Sequence, residues 1–392
     1  MLTRRSSTPN TPSTPPELTP RLGIAALILA LSFVLSACTQ ATETPEPLPP
    51  EETPEESVME EPDANSGTAI IFDTDLGYDC DDAGALGVLH ALADLGEANL
   101  LATMTVVGAP HSAGALDVIN TYYGHPDVPV GAYMGERWAD ARPYWLKPDV
   151  DFLEPLVETH PSDIETRAQA QEAVALYRQT LAAQPDESVT VVTVGFLQNL
   201  ADLLASSADA HSPLSGRALV AQKVKGLVVM GGRYPENDDT RDFNLTGGPE
   251  KDVQAAQEVI EAWPTPIVFS GSEIGDAIFT GRTLPDTLPE NPVAHAYDLF
   301  PGTDNNGERA SWDLTAVLYA VRGEEDLWGL RTDSHIVIKD DGSHEWQEGA
   351  VEPARISLEL EAPADEVKAV LNELLAQEPA STSEGEVSRE AR

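Results

Sequence analysis

Residues 70–86 read Ile-Ile-Phe-Asp-Thr-Asp-Leu-Gly-Tyr-Asp-Cys-Asp-Asp-Ala-Gly-Ala-Leu, an order that few folds accommodate. The apolar residues Ile70 to Phe72 form a short buried strand. Asp73, Asp75, Asp79, Asp81 and Asp82 follow at once, and Ala83 to Leu95 then carries helical spacing. The acids therefore sit where a strand ends and a helix begins, the edge at which open parallel α/β sheets bind ligands. An N-cap would account for Asp81 or Asp82 alone. It does not account for five like charges behind one strand. A hard cation relieves such repulsion; calcium and magnesium both take carboxylate oxygens, and calcium accepts more ligands with looser geometry.

Further along, strand and helix patterns alternate. Strand-like runs fall at Leu100–Val107, Val128–Gly131, Val189–Val194, Val224–Met230 and Ile267–Phe269. Helical patterns fall at Ala113–Tyr123, Ala168–Ala183, Leu197–Ala205, Glu250–Trp263, Leu314–Val321 and Ala364–Ala376. The β-branched run at Val189–Val194 is what a parallel strand covered on both faces requires. The alternation predicts a mainly parallel, Rossmann-like open sheet with helices on both faces. Ile336–Lys339, the turn Asp340-Asp341-Gly342-Ser343 and residues 344–348 predict a small peripheral hairpin. Residues 140–163, rich in Pro, Asp and aromatics, are expected to form a loop or insertion.

The ends read differently. Residues 23–37 are an apolar run of secretory-signal length, short for a membrane span, behind a segment carrying Arg4, Arg5 and Arg21. The run ends Leu35-Ser36-Ala37-Cys38, which resembles a bacterial lipobox and implies acylation of Cys38. The reading weighed against it is an uncleaved membrane anchor; both put the remainder outside the cytoplasm, held to a membrane. Residues 39–66 are a Pro/Glu/Thr-rich tether that buries too little apolar surface to fold. The expected organisation is a signal peptide at 1–38, the tether at 39–66, one domain at 67–376 and a polar tail at 377–392. The formal charge of −43 disfavours nucleic-acid polymers and anionic membrane surfaces as partners. A homo-oligomer is compatible with the sequence.

Asp-Thr-Asp-x-Gly-x-Asp-x-Asp-Asp-Ala, as it stands at 73–83, resembles the N-terminal fingerprint of the inosine–uridine-preferring nucleoside hydrolases in its longer form. Three more segments follow in that family's order. Thr193-Val194-Gly195-Phe196-Leu197-Gln198-Asn199 resembles its strand–Gly turn–helix segment. Met230-Gly231-Gly232, a polar loop and Asp242-Phe243-Asn244 resemble its sugar-binding segment, and Ser311-Trp312-Asp313-Leu314 its last acidic helix start. The resemblance implies Ca2+-dependent hydrolysis of ribonucleosides to base and ribose. It implies that Asp75 is metal ligand and base, that Asp82, the Val194 carbonyl and Asp313 complete the metal shell, and that Asp81 holds ribose. Asp73 and Asp79 would orient ligands, with Asp79 able to exchange roles with Asp81. Asn237, Asp242 and Asn244 would hold sugar hydroxyls, whose donors and acceptors match carboxylate and amide groups.

Three departures stand out. Asp242 replaces the more usual Glu and reaches one methylene less far. Trp312 stands where better-known members carry a histidine proposed as leaving-group acid; an indole offers no such proton but can stack on a base. The turn after the Leu100 strand reads Gly108-Ala109-Pro110-His111 where an Asn is common, and His111 suits a surface or capping role. Competing readings are a tethered receptor that binds nucleosides or sugars without cleaving them, and a haloacid dehalogenase-type phosphatase with Asp73 as nucleophile.

Overall fold

The structure, a computed structural model, describes residues 67–135, 151–235, 241–248, 253–303 and 307–380. The signal segment, Cys38, the tether, Asn237 and most of the polar tail lie outside the described residues. Among the described residues no helix is long and apolar enough to cross a membrane.

In chain order the strands are β1 (Thr68–Thr74), β2 (Ala98–Thr105), β3 (Val130–Ala132), β4 (Gln171–Glu172), β5 (Val189–Thr193), β6 (Val224–Met230) and β7 (Ile267–Ser270). After them come β8 (Phe279–Thr280), β9 (Arg309–Ala310), β10 (Trp328–Arg331), β11 (Ser334–Ile338), β12 (His344–Glu348) and β13 (Arg355–Leu360). Nine strands form one sheet in the order β10-β13-β7-β6-β5-β1-β2-β3-β4. Every pairing in it is parallel except β10 with β13 at one edge. The expected open parallel sheet with helices is what forms, and β11–β12 is the expected peripheral hairpin.

Alternation within β1 sorts its side chains into two layers. Ile70 and Phe72 join one core and Ile71 the other, all fully buried. Neighbouring strands repeat this, with Val192 and Val228 on the first face and Val191, Leu227 and Val229 on the second. Period-two placement in a sheet covered on both sides demands that arrangement. Helix Asp81–Asp94 is buried along its whole length to Leu92, because helices Trp312–Arg322 and Ala364–Leu375 cover its outer side.

Some elements differ from expectation. The helix expected from Ala168 begins at Ala173; Gln171–Glu172 first pair with Gly131–Ala132 as an edge strand. The Glu172 carboxylate then accepts the N–H groups of Val174 and Ala175, capping the helix there. Within the expected loop, residues 154–159 form a short helix. Helix Gly216–Lys223 and strands β8, β9, β10 and β13 were not expected from the sequence.

The chain reverses its direction of travel across the sheet at β1: β2 lies on one side and β5 on the other. Such a reversal opens a crevice at the carboxyl ends of the two central strands. The acidic stretch leaves β1 into that crevice.

Candidate active site

The backbone first ties the two central strands together at their ends. Val194 N–H donates to the Asp73 carbonyl at 2.8 Å. Gly195 follows, where an added Cβ would lie 2.6 Å from the Asp75 backbone nitrogen. A side chain there would push the acidic loop off its strand, so this close approach requires glycine.

Around that junction is a cavity of about 580 Å³, lined on the acidic side by Asp75, Asp79, Asp81, Asp82 and Asp313. The Val194, Asp242, Asn244 and Trp312 positions also line it. Apart from Asn237, every position expected to touch metal or sugar therefore meets in one place, although Asp313 is 231 positions after Asp82 in the chain (313 − 82).

Asp81, Asp82 and Asp313 come closest together: one oxygen from each lies within 4.8 Å of the others, and all three residues are buried. Asp313 opens helix Trp312–Arg322, and its backbone N–H donates to Asp81 at 3.3 Å. Asp82 is fixed by Thr74, whose hydroxyl donates to Oδ1 and accepts the Leu76 N–H at 3.0 Å. Asp82 Oδ2 is buried without a hydrogen-bond partner among the described residues. Asp75 lines the same cavity outside that trio.

Burial pushes all four carboxyls well above the ordinary aspartate range, and their neighbours add to it. Asp81 is raised further by the charges of Asp79 and Asp82, and Asp82 by that of Asp75. Asp313 is raised further by Asp81 and Asp82; at Asp75 a hydrogen bond with Asp82 offsets part of the rise, to which the charges of Asp81 and Asp79 add. A buried orphan oxygen within a knot of repelling carboxylates is the donor set a divalent cation satisfies. Oxygen ligands alone, with the Val194 carbonyl beside them, suit a hard ion. The residues present therefore fit a hard divalent cation.

Asp79 has a different role. It takes a bidentate ion pair from Arg309, with Nε donating at 2.8 Å and Nη2 to the other oxygen. The same guanidinium lies 4.7 Å from the centre of the Trp312 ring and 5.3 Å from that of Phe300. Trp312 in turn donates Nε1–H to Asp276 at 3.0 Å, and Asp276 is also paired with Arg233. Arg309 was not singled out by the sequence: it stands two residues before the Ser311-Trp312-Asp313-Leu314 segment without being part of it, and its pairing with Asp79 spans 230 positions.

On the sugar side, Asn244 Nδ2 donates to the Val194 carbonyl at 2.8 Å and to the Met230 carbonyl at 3.2 Å. One amide thus holds the ends of β5 and β6 beside each other. Asp242 Oδ1 accepts the N–H groups of Asn244 at 3.0 Å and Leu245 at 3.1 Å, a turn that sets Asp242, Phe243 and Asn244 on the cavity wall. Burial raises its carboxyl to about 6.

Asp73 faces away. It is fully buried, lines no part of the cavity, and accepts from Tyr177 at 2.8 Å and from Asn199 at 3.1 Å. Burial lifts its carboxyl to about 7. A nucleophile must reach substrate, so the phosphatase reading fails on this placement. His111 also stands outside the cavity, pairing with Asp151 at 2.9 Å at the start of helix Ser112–Tyr122.

Fold and site together define an α/β protein of the nucleoside hydrolase type. The sequence gives the particular family: the chain belongs to the inosine-uridine preferring nucleoside hydrolases, whose family model matches residues 70–364. No curated protein matched the sequence. Among solved structures, the chain resembles a purine-preferring ribonucleoside hydrolase from Gardnerella vaginalis at 15% identity and TM-score 0.58, covering 79% of this chain and 99% of that one. The inosine-uridine preferring nucleoside hydrolase from Bacillus anthracis aligns at 17% identity and TM-score 0.54, over 79% and 99%. The type III effector XopQ, solved with adenosine diphosphate ribose, aligns at 15% identity and TM-score 0.55, over 80% and 94%. Likeness at these identities speaks to the fold alone.

Proposed function

We propose that this protein hydrolyses the N-glycosidic bond of a ribonucleoside or related ribosyl compound, dependent on Ca2+, from a lipid anchor at Cys38 outside the cytoplasm. The observation that carries the reading is the convergence of Asp81, Asp82 and Asp313, with Asp75 beside them and an orphan carboxylate oxygen among them. Asp82, Asp313, Asp75, Asp81 and the Val194 carbonyl would hold the ion. Bound there, the ion would offset the carboxylate charge and make a nearby water more acidic.

The chain's own groups do the remaining work. Asp75 takes the proton of the attacking water. Glycoside hydrolysis through an oxocarbenium-like sugar needs such a base on the face opposite the leaving group. Asp242 and Asn244 hold ribose hydroxyls. Asp242 has one oxygen engaged in its turn, and a carboxylate's two oxygens accept about four hydrogen bonds, so capacity remains for a hydroxyl. Trp312 offers an aromatic face to the leaving group, set by Arg309 and Asp276.

The test is a reducing-sugar assay over a nucleoside panel, with Ca2+ and with chelator. Release of sugar that chelator abolishes and Ca2+ restores supports the reading. The competing receptor reading gains from Trp312, which replaces an expected proton donor; calorimetric binding of a nucleoside with no base released would establish it instead.

A further inference from the structure

The hairpin β11–β12 forms a two-stranded sheet of its own, and among the described residues that line the cavity none belongs to it. It nevertheless grips the chain where the sugar-side segment leaves β6 and where that segment returns. At the exit, His344 Nε2 accepts the Arg233 N–H at 3.0 Å, and Trp346 Nε1–H donates to the Arg233 carbonyl at 2.9 Å. His344 and Trp346 stand two apart on β12 and so share a face. The Trp346 ring also meets the Tyr234 ring edge-on at 5.7 Å, and the Arg331 guanidinium lies 4.4 Å from the centre of Tyr234. At the return, Arg241 pairs with Ser343 in an antiparallel bridge, and its Nε donates to the Asp341 carbonyl at 3.3 Å. The hairpin turn closes on the same segment: a Cβ added at Gly342 would lie 2.9 Å from Thr246 Cγ2.

The hairpin is itself tied to the core. Gln257 of helix Gln254–Ala262 donates to the Ile338 carbonyl at 3.2 Å and to Asp340 at 3.1 Å, and Trp346 packs edge-on against Phe269 of β7 at 5.8 Å. A rigid path therefore runs from the sheet through the hairpin to Arg233 and Arg241, which line the cavity beside Asp242 and Asn244. The need for it is plain from the backbone. Strand β6 ends at Met230, so the N–H and carbonyl of Arg233 have no ladder to join, and such groups require partners. The hairpin supplies both. On the other side of the loop, Glu273 accepts the Tyr234 N–H at 3.1 Å and Asp276 pairs with the Arg233 side chain.

We propose, resting on the hydrolase reading above, that the β11–β12 hairpin is a brace that sets the sugar-side segment for substrate, with His344 and Trp346 as positioning residues. Neither touches the substrate; both act through the backbone of Arg233. With the brace weakened, the segment populates other arrangements, and a bound substrate must restore the competent one. That cost falls on binding and is already met when the chemical step begins, so KM rises while kcat is kept.

The test measures kcat and KM separately for inosine on the full chain with Ca2+, in four variants. His344→Leu removes the acceptor and His344→Gln keeps one; Trp346→Phe removes the N–H and keeps a ring. Lys339→Ala breaks the ion pair with Glu345 on the exposed side of the hairpin and serves as control. The expected result is a KM raised about 5-fold, the worth of one hydrogen bond, in His344→Leu and Trp346→Phe. Their kcat stays within about twofold of the parent. His344→Gln falls back toward the parent KM, and Lys339→Ala matches it. An unchanged KM in the first two variants, a fall in kcat alone, or an equal rise in KM for Lys339→Ala overturns the inference and leaves the hydrolase reading in place. Where His344→Leu does not fold, Trp346→Phe alone decides. If the parent chain binds inosine without cleaving it, the hydrolase reading falls, and the calorimetric Kd of inosine in the same variants takes the place of KM. Neither binding nor cleavage overturns both.

Discussion

Removing divalent cation should destabilise the protein, and by more at high pH than at low. The carboxyls of Asp75, Asp81, Asp82 and Asp313 are all raised by burial and mutual repulsion. In the unfolded chain they ionise in the ordinary range near 3.8. As pH rises past that range, the unfolded state sheds protons that the cation-free folded state keeps. Stability present at low pH is therefore lost as pH climbs through the raised folded values. A bound cation replaces those protons, so its contribution grows over the same window. At a hundredfold excess over Kd, a ligand confined to the folded state contributes about 2.7 kcal/mol. A domain of roughly 300 residues unfolds with an entropy near 0.6 kcal/mol/K, so the shift in Tm is about 4 °C. Asp313→Asn removes one of the three converging carboxylates; a tenfold weaker site lowers that shift by about 2 °C. Melts at pH 5.5 and pH 8, at constant ionic strength, with Ca2+ and with chelator, read this directly. The reasoning is refuted by no shift at either pH, or by a shift larger at pH 5.5.

Three further outcomes are expected. Asp75→Asn should lower kcat by about 10²–10⁴-fold while keeping or raising Tm in chelator, since it removes a buried charge; steady-state kinetics and a melt check both parts. Tyr177→Phe should cost about 1–3 kcal/mol in urea unfolding, because Asp73 loses a buried donor; an unchanged midpoint would contradict that. Arg309→Gln should cost about 1–3 kcal/mol, reduced from a fully buried pair because both side chains are partly exposed, and should raise KM as Trp312 loses its support. A normal KM would remove Trp312 from the binding role.

How far the sequence disclosed this arrangement depended on the range of each signal. The β-branched run of β5 and the apolar start of β1 are local, and both strands fell where their patterns put them. The acid cluster was legible because its members are neighbours in sequence. Strands β10 and β13 were not, since β10 at the sheet edge and β13 beside it mix apolar residues with Arg331 and Glu359, which pair with each other, and hydrophobic patterning weakens there. Helix Gly216–Lys223 buries only Gly216, Leu219 and Val220, too few to set a period. Thr74 lies inside the quoted stretch, yet its hold on Asp82 shows only once the loop is folded. Arg309 stands just outside the Ser311–Leu314 segment, and its partner Asp79 lies 230 positions away.

That separation between Asp79 and Arg309 bears on how the molecule is made. A ribosome delivers the first acids long before their counter-charge or Asp313 exists, so the nascent amino-terminal half carries an uncompensated knot of repulsion. A product cut short before residue 309 keeps the early aspartates and lacks both the counter-charge of Arg309 and the third converging carboxylate, Asp313. The pocket's lining is thus complete only once Asp313 has been added, ahead of β10, β13 and helix Ala364–Leu375.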